Sequence, residues 1–219
     1  MYVTINTMIE IREYLNPDGR NLFGDWFDQL NSDAATRVTT SLYRLALGNF
    51  SNVKGVGSGV FECRIDFGPG YRLYFGKDGD RLVILLLRWY QAASAERHHT
   101  RNGALAGLQT SKEERDMALT KDFRETVQAR VQSDKKFRRG LLSDAVEALL
   151  GGETALGREI LRDYINATVG FPKLAKNTGL HVKTLHQMFG PKGNPTAANL
   201  FQIIACLQQH EGVQLRVVA

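Results

Sequence analysis

Residues 59–87 read GVFECRIDFGPGYRLYFGKDGDRLVILLL, and this stretch decides the fold of the first part of the chain. Its β-branched and aromatic runs are typical of strands, and the turn sequences FGPG (67–70) and KDGD (77–80) separate them. The second turn sequence is a strong signal for a short hairpin. We therefore predict three consecutive antiparallel strands: Val60–Phe67, Tyr71–Phe75 and Arg81–Leu87.

A strand and two helices are predicted before these strands. Apolar and polar residues alternate over Thr7–Tyr14, as in a half-buried strand, and the turn sequence NPDG follows. Apolar residues then recur at helical spacing from Leu22 to Leu47, with a good N-cap at Ser32-Asp33, so we expect a helical hairpin. The glycine-rich Gly55–Gly59 is predicted to be a loop. Residues 1–87 thus form an α+β domain, with two helices packed on an antiparallel sheet.

The composition describes a globular protein. The chain has 219 residues, of which 43% are hydrophobic and 23% are charged, so wholesale disorder is excluded. Its two cysteines, Cys63 and Cys206, lie in no metal-ligand spacing, and we expect neither a metal nor a cofactor. The longest apolar run, Leu82–Leu87, is too short to cross a bilayer, and the first residues lack a signal-peptide pattern. We expect a cytoplasmic protein with no membrane partner.

The positive charge is concentrated at one end of the chain. The total net charge is +5; residues 1–87 carry −1, residues 88–116 carry +1 and residues 117–219 carry +5. The last hundred residues are therefore the first place to look for nucleic-acid contact. Residues 88–116 show no sustained periodicity and are predicted to be a linker.

The last hundred residues are predicted to be essentially all-α. Ser133-Asp134 is a good N-cap for a helix that ends at Leu150, before Gly151-Gly152. One short strand is possible at the end, over Val213–Val218. Four further helices are expected, at Ala155–Val169, Phe171–Asn177, Val182–Phe189 and Ala197–Gln209.

The segment 171–189, which begins FPKLAKNTGLHVKTLHQM, has the spacing of a helix-turn-helix. Ala175 is small where two helices would cross, and Gly179 stands where the turn needs a positive φ. The apolar residues expected to lock the two helices together are Leu174, Leu180, Val182, Leu185 and Met188. The residues expected to face outward, toward base edges and phosphates, are His181, Lys183, Thr184, His186 and Gln187. The alternative is an ordinary helical hairpin with a polar outer face.

Residues 117–219 resemble the HigA-like family of addiction-module antitoxins. The resemblance is carried by MALTKDFRETVQARVQ (117–132), LAKNTGLHVKTLHQMFG (174–190) and GNPTAANLFQIIACL (193–207), and Met117 resembles the family's first residue. It implies a protein that neutralises a toxin and represses its own operon through operator DNA, usually as a homodimer. The helices over Phe123–Val169 are the expected toxin-covering surface, although their apolar faces could equally be internal core.

Residues 5–87 resemble the partner family, the HigB-like toxins of the RelE/ParE superfamily. The most specific stretch is GVFECRIDFGPGYRLYF (59–75). RelE-like members cleave mRNA on the ribosome with the RNA 2′-OH as nucleophile, whereas ParE-like members poison gyrase. Cleavage needs cations at the scissile phosphate, for which Lys54, Arg64 and Arg72 are candidates. Tyr71 or Tyr74 would stack on a base or transfer a proton. Alternatively, all five residues lie on a solvated sheet face without a catalytic role. No histidine precedes His98.

The junction after Leu87 departs from the toxin family. Its members usually continue with Cys-Gly-Gly, a basic stretch and a last helix, but here Arg88-Trp89-Tyr90-Gln91 follows. Permitted codons for residues 88–93, read one nucleotide later, encode Gly-Gly-Thr-Lys-Arg. We therefore hypothesise that a one-nucleotide frameshift replaced the basic tail and joined the toxin to the antitoxin, which would make His98 and His99 accidental residues.

These observations predict a fused toxin–antitoxin protein. The first hypothesis is a DNA-binding autorepressor whose toxin half is inert, with any residual toxicity neutralised by docking of the antitoxin half within one chain or between two chains. The second is a latent ribosome-dependent mRNA endonuclease held inactive by the tethered antitoxin, and the third is a gyrase poison.

Overall fold

The computed structural model describes residues 8–79, 81–84 and 120–216, which form six strands and eight helices. They belong to two compact units: the sheet unit, Met8–Thr126, and the helical unit, which holds the residues from Val127 onward. The predicted linker 88–116, with the hypothesised frameshift after Leu87, lies outside the described residues. No helix among the described residues has the length and apolar character needed to span a membrane.

The sheet unit is built on one six-stranded sheet in the order β2-β3-β4-β5-β1-β6. The strands are β1 (Glu10–Tyr14), β2 (Val53–Gly57), β3 (Val60–Ile65), β4 (Tyr71–Asp78), β5 (Arg81–Ile84) and β6 (Thr120–Asp122). The three predicted consecutive strands correspond to β3, β4 and β5. The sequence predicted an antiparallel sheet, but the observed sheet is mixed because β1 pairs with β5 in parallel. A parallel pair requires a crossover connection, and here the chain between β1 and β5 passes through α1, α2 and the strands β2 to β4.

Two strands were not predicted from sequence. The supposed loop Gly55–Gly59 contributes to β2, where the register with β3 shifts between Gly55 and Gly57, a bulge that the glycines permit. The strand β6 lies in the part predicted to be all-α. In contrast, Val213–Arg216 form no strand, so the prediction at the end of the chain is wrong for these residues.

Helices α1 (Leu22–Gln29) and α2 (Ser32–Ala46) pack against one face of the sheet, as expected for the helical hairpin. Each begins after an asparagine whose side chain accepts a backbone hydrogen bond, Asn21 from Gly24 and Asn31 from Ala34. The N-cap of α2 is thus Asn31, one residue before the predicted Ser32. The core beneath these helices is apolar and contains Phe27, Val38, Leu42, Leu73 and Phe75.

The helical unit is all-α within the described residues. Its helices are α3 (Phe123–Ser133), which begins in the sheet unit, α4 (Lys135–Leu150), α5 (Thr154–Ala167), α6 (Phe171–Thr178), α7 (Val182–Met188) and α8 (Ala197–Glu211). Asp134 caps α4, as predicted, by accepting a hydrogen bond from the Phe137 amide. Gly157 allows α5 to approach α4 closely, because a Cβ there would meet the Ala145 carbonyl oxygen at 2.7 Å.

A buried carboxylate fixes the end of α8. The Oε1 atom of Glu211 accepts hydrogen bonds from Arg138 Nε at 2.6 Å and from the Tyr164 hydroxyl at 2.8 Å. The Arg139 side chain donates to the Glu211 carbonyl oxygen at 3.0 Å. Burial by itself would raise the pKa of Glu211, but the hydrogen bonds from Arg138 and Tyr164 lower this pKa overall. The ionised carboxylate therefore ties α8 to α4 and α5.

We expect Glu211→Gln to lower the free energy of unfolding by about 3 kcal/mol, because Arg138 keeps its charge and loses its partner. Urea denaturation followed by circular dichroism measures this loss. Because the folded-state pKa of Glu211 is lowered, the advantage of the wild type is present above the ordinary pKa of 4.5 and is lost as the pH falls below it. The exposed Glu147→Gln is the control, and equal losses for both variants would contradict this account.

Candidate functional site

Residues Thr120–Thr126, called the strap, belong to the sheet unit although they lie in the antitoxin-like part of the sequence. The first three form β6, which adds an antiparallel strand to β1 with Arg12 opposite Asp122. The Arg12 side chain donates from Nε to the Thr120 hydroxyl and from Nη2 to the Thr120 carbonyl oxygen, both at 3.1 Å. Backbone pairing and a guanidinium therefore hold the strap to the edge of the sheet.

The start of α3 continues this attachment with aromatic packing. Phe123 is 1% exposed and meets the buried Tyr43 of α2 edge to face, with ring centroids 5.4 Å apart. The Arg124 guanidinium lies over the Tyr43 ring, 5.5 Å from its centroid. The strap thus buries a large side chain in the sheet unit in addition to its backbone hydrogen bonds.

Glu13 of β1 is a fully buried carboxylate that connects the strap with α1. Its Oε2 accepts a hydrogen bond from the Thr126 hydroxyl at 2.9 Å and another from the Asn21 side-chain amide. Asn21 is also the N-cap of α1. Burial raises the pKa of Glu13 to about 6, although both hydrogen bonds act in the opposite direction. The carboxyl is therefore tied to three elements and titrates near neutral pH.

The raised pKa predicts a pH dependence for the sheet unit. The folded state favours the protonated form, so this carboxyl contributes stability that is present below its ordinary pKa of 4.5 and is lost as the pH rises through about 6. We expect the unfolding free energy of the wild type, relative to Glu13→Gln, to fall across this interval. Thermal melts of the two proteins between these pH values measure the difference.

The matched control for this experiment is Asp28→Asn, which removes an exposed carboxylate on α1. We expect this variant to keep the wild-type profile. A Glu13→Gln profile parallel to that of the wild type would show that Glu13 does not titrate in this interval.

Four of the five predicted catalytic residues lie on the sheet face opposite the helices. Lys54, Glu62 and Tyr74 stand directly opposite one another on β2, β3 and β4. The Tyr74 hydroxyl donates to Glu62 Oε2 at 2.7 Å, and Lys54 Nζ lies 3.3 Å from Glu62 Oε1. Glu62 is 5% exposed. A buried carboxylate at the centre of this row therefore joins residues of three strands.

Two arginines extend this row on the same face. Arg64 and Arg72 are directly opposite each other on β3 and β4, and Arg72 Nε lies 3.8 Å from Glu62 Oε1. Like charges in such positions repel, which favours binding of an anion between them. Tyr71 is not part of this group, because its ring lies on the helix side of the sheet, 6.1 Å from Trp26 between centroids. The structure therefore brings together Lys54, Arg64, Arg72 and Tyr74, and separates Tyr71 from them.

The prediction from sequence missed Glu62. The signal was present, because Glu62 and Arg64 are two residues apart in a predicted strand and so face the same way. A carboxylate among apolar strand residues, on the face that carries the cations, indicates a buried partner for them.

In the helical unit, α6 and α7 are joined by a three-residue turn, Gly179–His181. Gly179 has φ +72°, as predicted, and its amide donates to the Ala175 carbonyl oxygen. Leu174 and Leu185 are fully buried between the helices. Val182, the first residue of α7, is 38% exposed and is not part of the buried core, unlike Leu174 and Leu185.

Four of the five predicted DNA-facing residues lie on α7, and His181 is the N-cap of this helix. His181, Lys183, His186 and Gln187 are exposed, and Thr184 is half-buried. The His186 ring also packs on Phe171 of α6, with centroids 4.3 Å apart. This contact limits the positions that the His186 ring adopts.

The sequence on both sides of α7 is free of acidic residues. Between Asp163 and Glu211 the sequence has four lysines, three histidines and no aspartate or glutamate. Besides Lys183, the lysines are Lys173, Lys176 and Lys192, all exposed. The net charge of the last hundred residues is therefore concentrated around α6, α7 and the loop after them.

A side chain from α5 holds that loop. Arg158 Nη1 donates to the carbonyl oxygens of Gly190 and Gly193. A Cβ at Gly193 would overlap the Met188 carbonyl oxygen, so only glycine fits there. The loop that follows α7 thus has a defined position next to the exposed lysines.

A curated protein of Haemophilus influenzae, described as an uncharacterized protein, is 43% identical to this chain over 65 residues. The match covers 29% of this chain and 66% of that protein, so the chain spans just under two thirds of the relative's length. No protein-family profile matches the chain, and no solved structure matches it.

Proposed function

We propose that this chain is a toxin–antitoxin fusion in which the antitoxin-like part neutralises a RelE-like toxin domain and binds operator DNA as an autorepressor. The observation that carries the proposal is the strap. Residues that follow Met117, where the antitoxin resemblance begins, complete the sheet of the toxin-like part. Addition of a strand to an exposed sheet edge is a common way for one protein to recognise another.

The strap supports docking between the two parts because its contacts resemble an interface. It combines a paired strand, hydrogen bonds from the Arg12 guanidinium to Thr120, the buried ring of Phe123 and a buried hydrogen bond from Thr126 to Glu13. A covalent connection raises the effective concentration of such a segment beside its binding edge. The same edge accepts the strap of a second copy equally well, which would produce a homodimer by exchange.

The second part of the proposal rests on α6 and α7, two short helices joined by a three-residue turn, which we interpret as a helix-turn-helix with α7 as its recognition helix. Lys183, Gln187 and His181 are placed to reach base edges and phosphates in a major groove. The lysines around them supply sequence-independent attraction to the backbone. A homodimer would read two half-sites one helical turn apart.

We expect the double variant Lys183→Ala, Gln187→Ala to bind the DNA upstream of its own gene about 10- to 100-fold more weakly than the wild type, because both side chains reach base edges or phosphates. Gel-shift titration at fixed salt concentration measures this change. The control is Lys135→Ala, which removes an exposed lysine of α4. Unchanged binding by the double variant would place DNA recognition elsewhere or exclude it.

The cationic sheet face favours a second candidate function, a latent ribosome-dependent mRNA endonuclease. Lys54, Arg64 and Arg72 are suited to hold a phosphate, and Tyr74 offers a ring and a hydroxyl beside them. Three strand spacings, about 14 Å, separate β4 from β6. The strap itself, which belongs to the sheet unit, therefore lies at a distance from these cations.

Weakening the strap tests this second function. In Arg12→Met, Thr126→Val, the hydrogen bonds from Arg12 to Thr120 and from Thr126 to Glu13 are lost, so we expect the antitoxin-like part to dissociate more readily. Expression of the double variant should arrest growth and produce cleaved mRNA, detected by primer extension. The control is Arg20→Met, which removes an exposed arginine. Intact mRNA would favour an inert toxin part, and DNA damage would indicate a gyrase poison.

A further inference from the structure

The carboxylate of Glu62 is buried beneath the cations of the sheet face. Its side chain is 6% exposed, whereas that of Lys54 is 62% exposed and that of Arg72 is 31% exposed. Both cations therefore reach over the carboxylate from the neighbouring strands. Burial of a charge is costly unless it is paired, so this arrangement requires an explanation.

The two oxygens of Glu62 have different neighbours. Oε2 accepts a hydrogen bond from the Tyr74 hydroxyl. Among the described residues none donates a hydrogen bond to Oε1, which lies 3.3 Å from Lys54 Nζ and 3.8 Å from Arg72 Nε. Oε1 thus lies close to two cations without accepting a hydrogen bond from either, and the exposed ammonium group of Lys54 is able to bind an anion from above.

Without this carboxylate the cations would separate. Lys54 stands opposite Glu62, and the pair Arg64 and Arg72 lies two residues further along the same face, so three positive charges repel each other across three adjacent strands. A negative charge below them makes their convergence stable, and its bond to Tyr74 holds the aromatic ring at the edge of the same group. Pre-organised cations bind a phosphate more tightly than flexible ones because less freedom is lost on binding.

We propose that Glu62 is a positioning residue that gathers Lys54, Arg72 and Tyr74 into a binding site for the phosphate backbone of single-stranded RNA. The inference rests on the second candidate function, that of the sheet face in RNA cleavage. Glu62 acts from below and does not touch the RNA. The alternative is that Glu62 and Lys54 form a structural ion pair and that any RNA attraction follows from net charge alone.

A double-mutant cycle separates these two explanations. The probe is a short fluorescein-labelled single-stranded RNA, and its dissociation constant from the full chain is measured by fluorescence anisotropy. All proteins carry Lys183→Ala and Gln187→Ala, so that α7 does not contribute. The cycle compares Lys54→Met, Glu62→Gln and their combination with the parent. Arg64 forms no ion pair with Glu62, so Arg64→Met serves as the control. It is measured both with Glu62 present and in the Glu62→Gln background.

We expect Lys54→Met to weaken RNA binding about tenfold when Glu62 is present and less than about twofold in the Glu62→Gln background, because Lys54 is no longer held in place. Arg64→Met should weaken binding equally in both backgrounds. If the effects of Lys54→Met and Glu62→Gln are additive, the positioning role is wrong although the face binds RNA. If neither Lys54→Met nor Arg64→Met changes binding, the RNA function of this face is itself wrong.

Equilibrium unfolding of each protein shows whether Glu62→Gln folds. If it does not fold, a second variant, Tyr74→Phe, takes its place in the cycle. Tyr74→Phe removes only the hydroxyl that holds Glu62 Oε2 and keeps the ring. In this background we expect the effect of Lys54→Met to be reduced at least twofold, on the order of one hydrogen bond's contribution. An unreduced effect would overturn the proposal.

Discussion

The buried Glu13 carboxyl connects the parts of the sheet unit that are most distant in the sequence. It lies on β1, accepts a hydrogen bond from the residue that begins α1, and accepts another from Thr126, which follows β6 by four residues. A buried carboxyl is stable only while its partners remain in place. The position of the strap on β1 and the start of the helical hairpin therefore depend on one another. Separation of the strap would leave Glu13 with one donor fewer, which opposes that separation.

This dependence affects how neutralisation would work. The strap binds the edge strand β1, whereas the cations and Glu62 lie on β2, β3 and β4. The strap itself therefore lies away from the cations. Its attachment to the sheet comes from backbone pairing, from Phe123 and from the buried hydrogen bond of Thr126. The DNA-binding role proposed for α7 uses other residues altogether, so a weakened strap need not impair it.

Much of the fold could be predicted from local patterns, and the failures have physical reasons. The helical hairpin, the strands β3 to β5 and the turn at Gly179 followed from periodicity, caps and positive φ. The strand β6 could not, because Thr120–Asp122 is too short to show alternation and is a strand only through its pairing with β1. Of the catalytic candidates, strand periodicity could have separated Tyr71 from Tyr74, whose positions differ by an odd number of residues. Long-range hydrogen bonds such as that of Thr126 to Glu13 leave no local signal.

The most direct test of the central claim is whether the two parts remain associated without their covalent connection. A site for a sequence-specific protease introduced into residues 88–116 allows the chain to be cut, and size-exclusion chromatography at micromolar concentration then separates bound from unbound fragments. The account predicts that both fragments elute together as one complex, held by the strap on β1. Elution of two separate fragments, each still folded by circular dichroism, would contradict it.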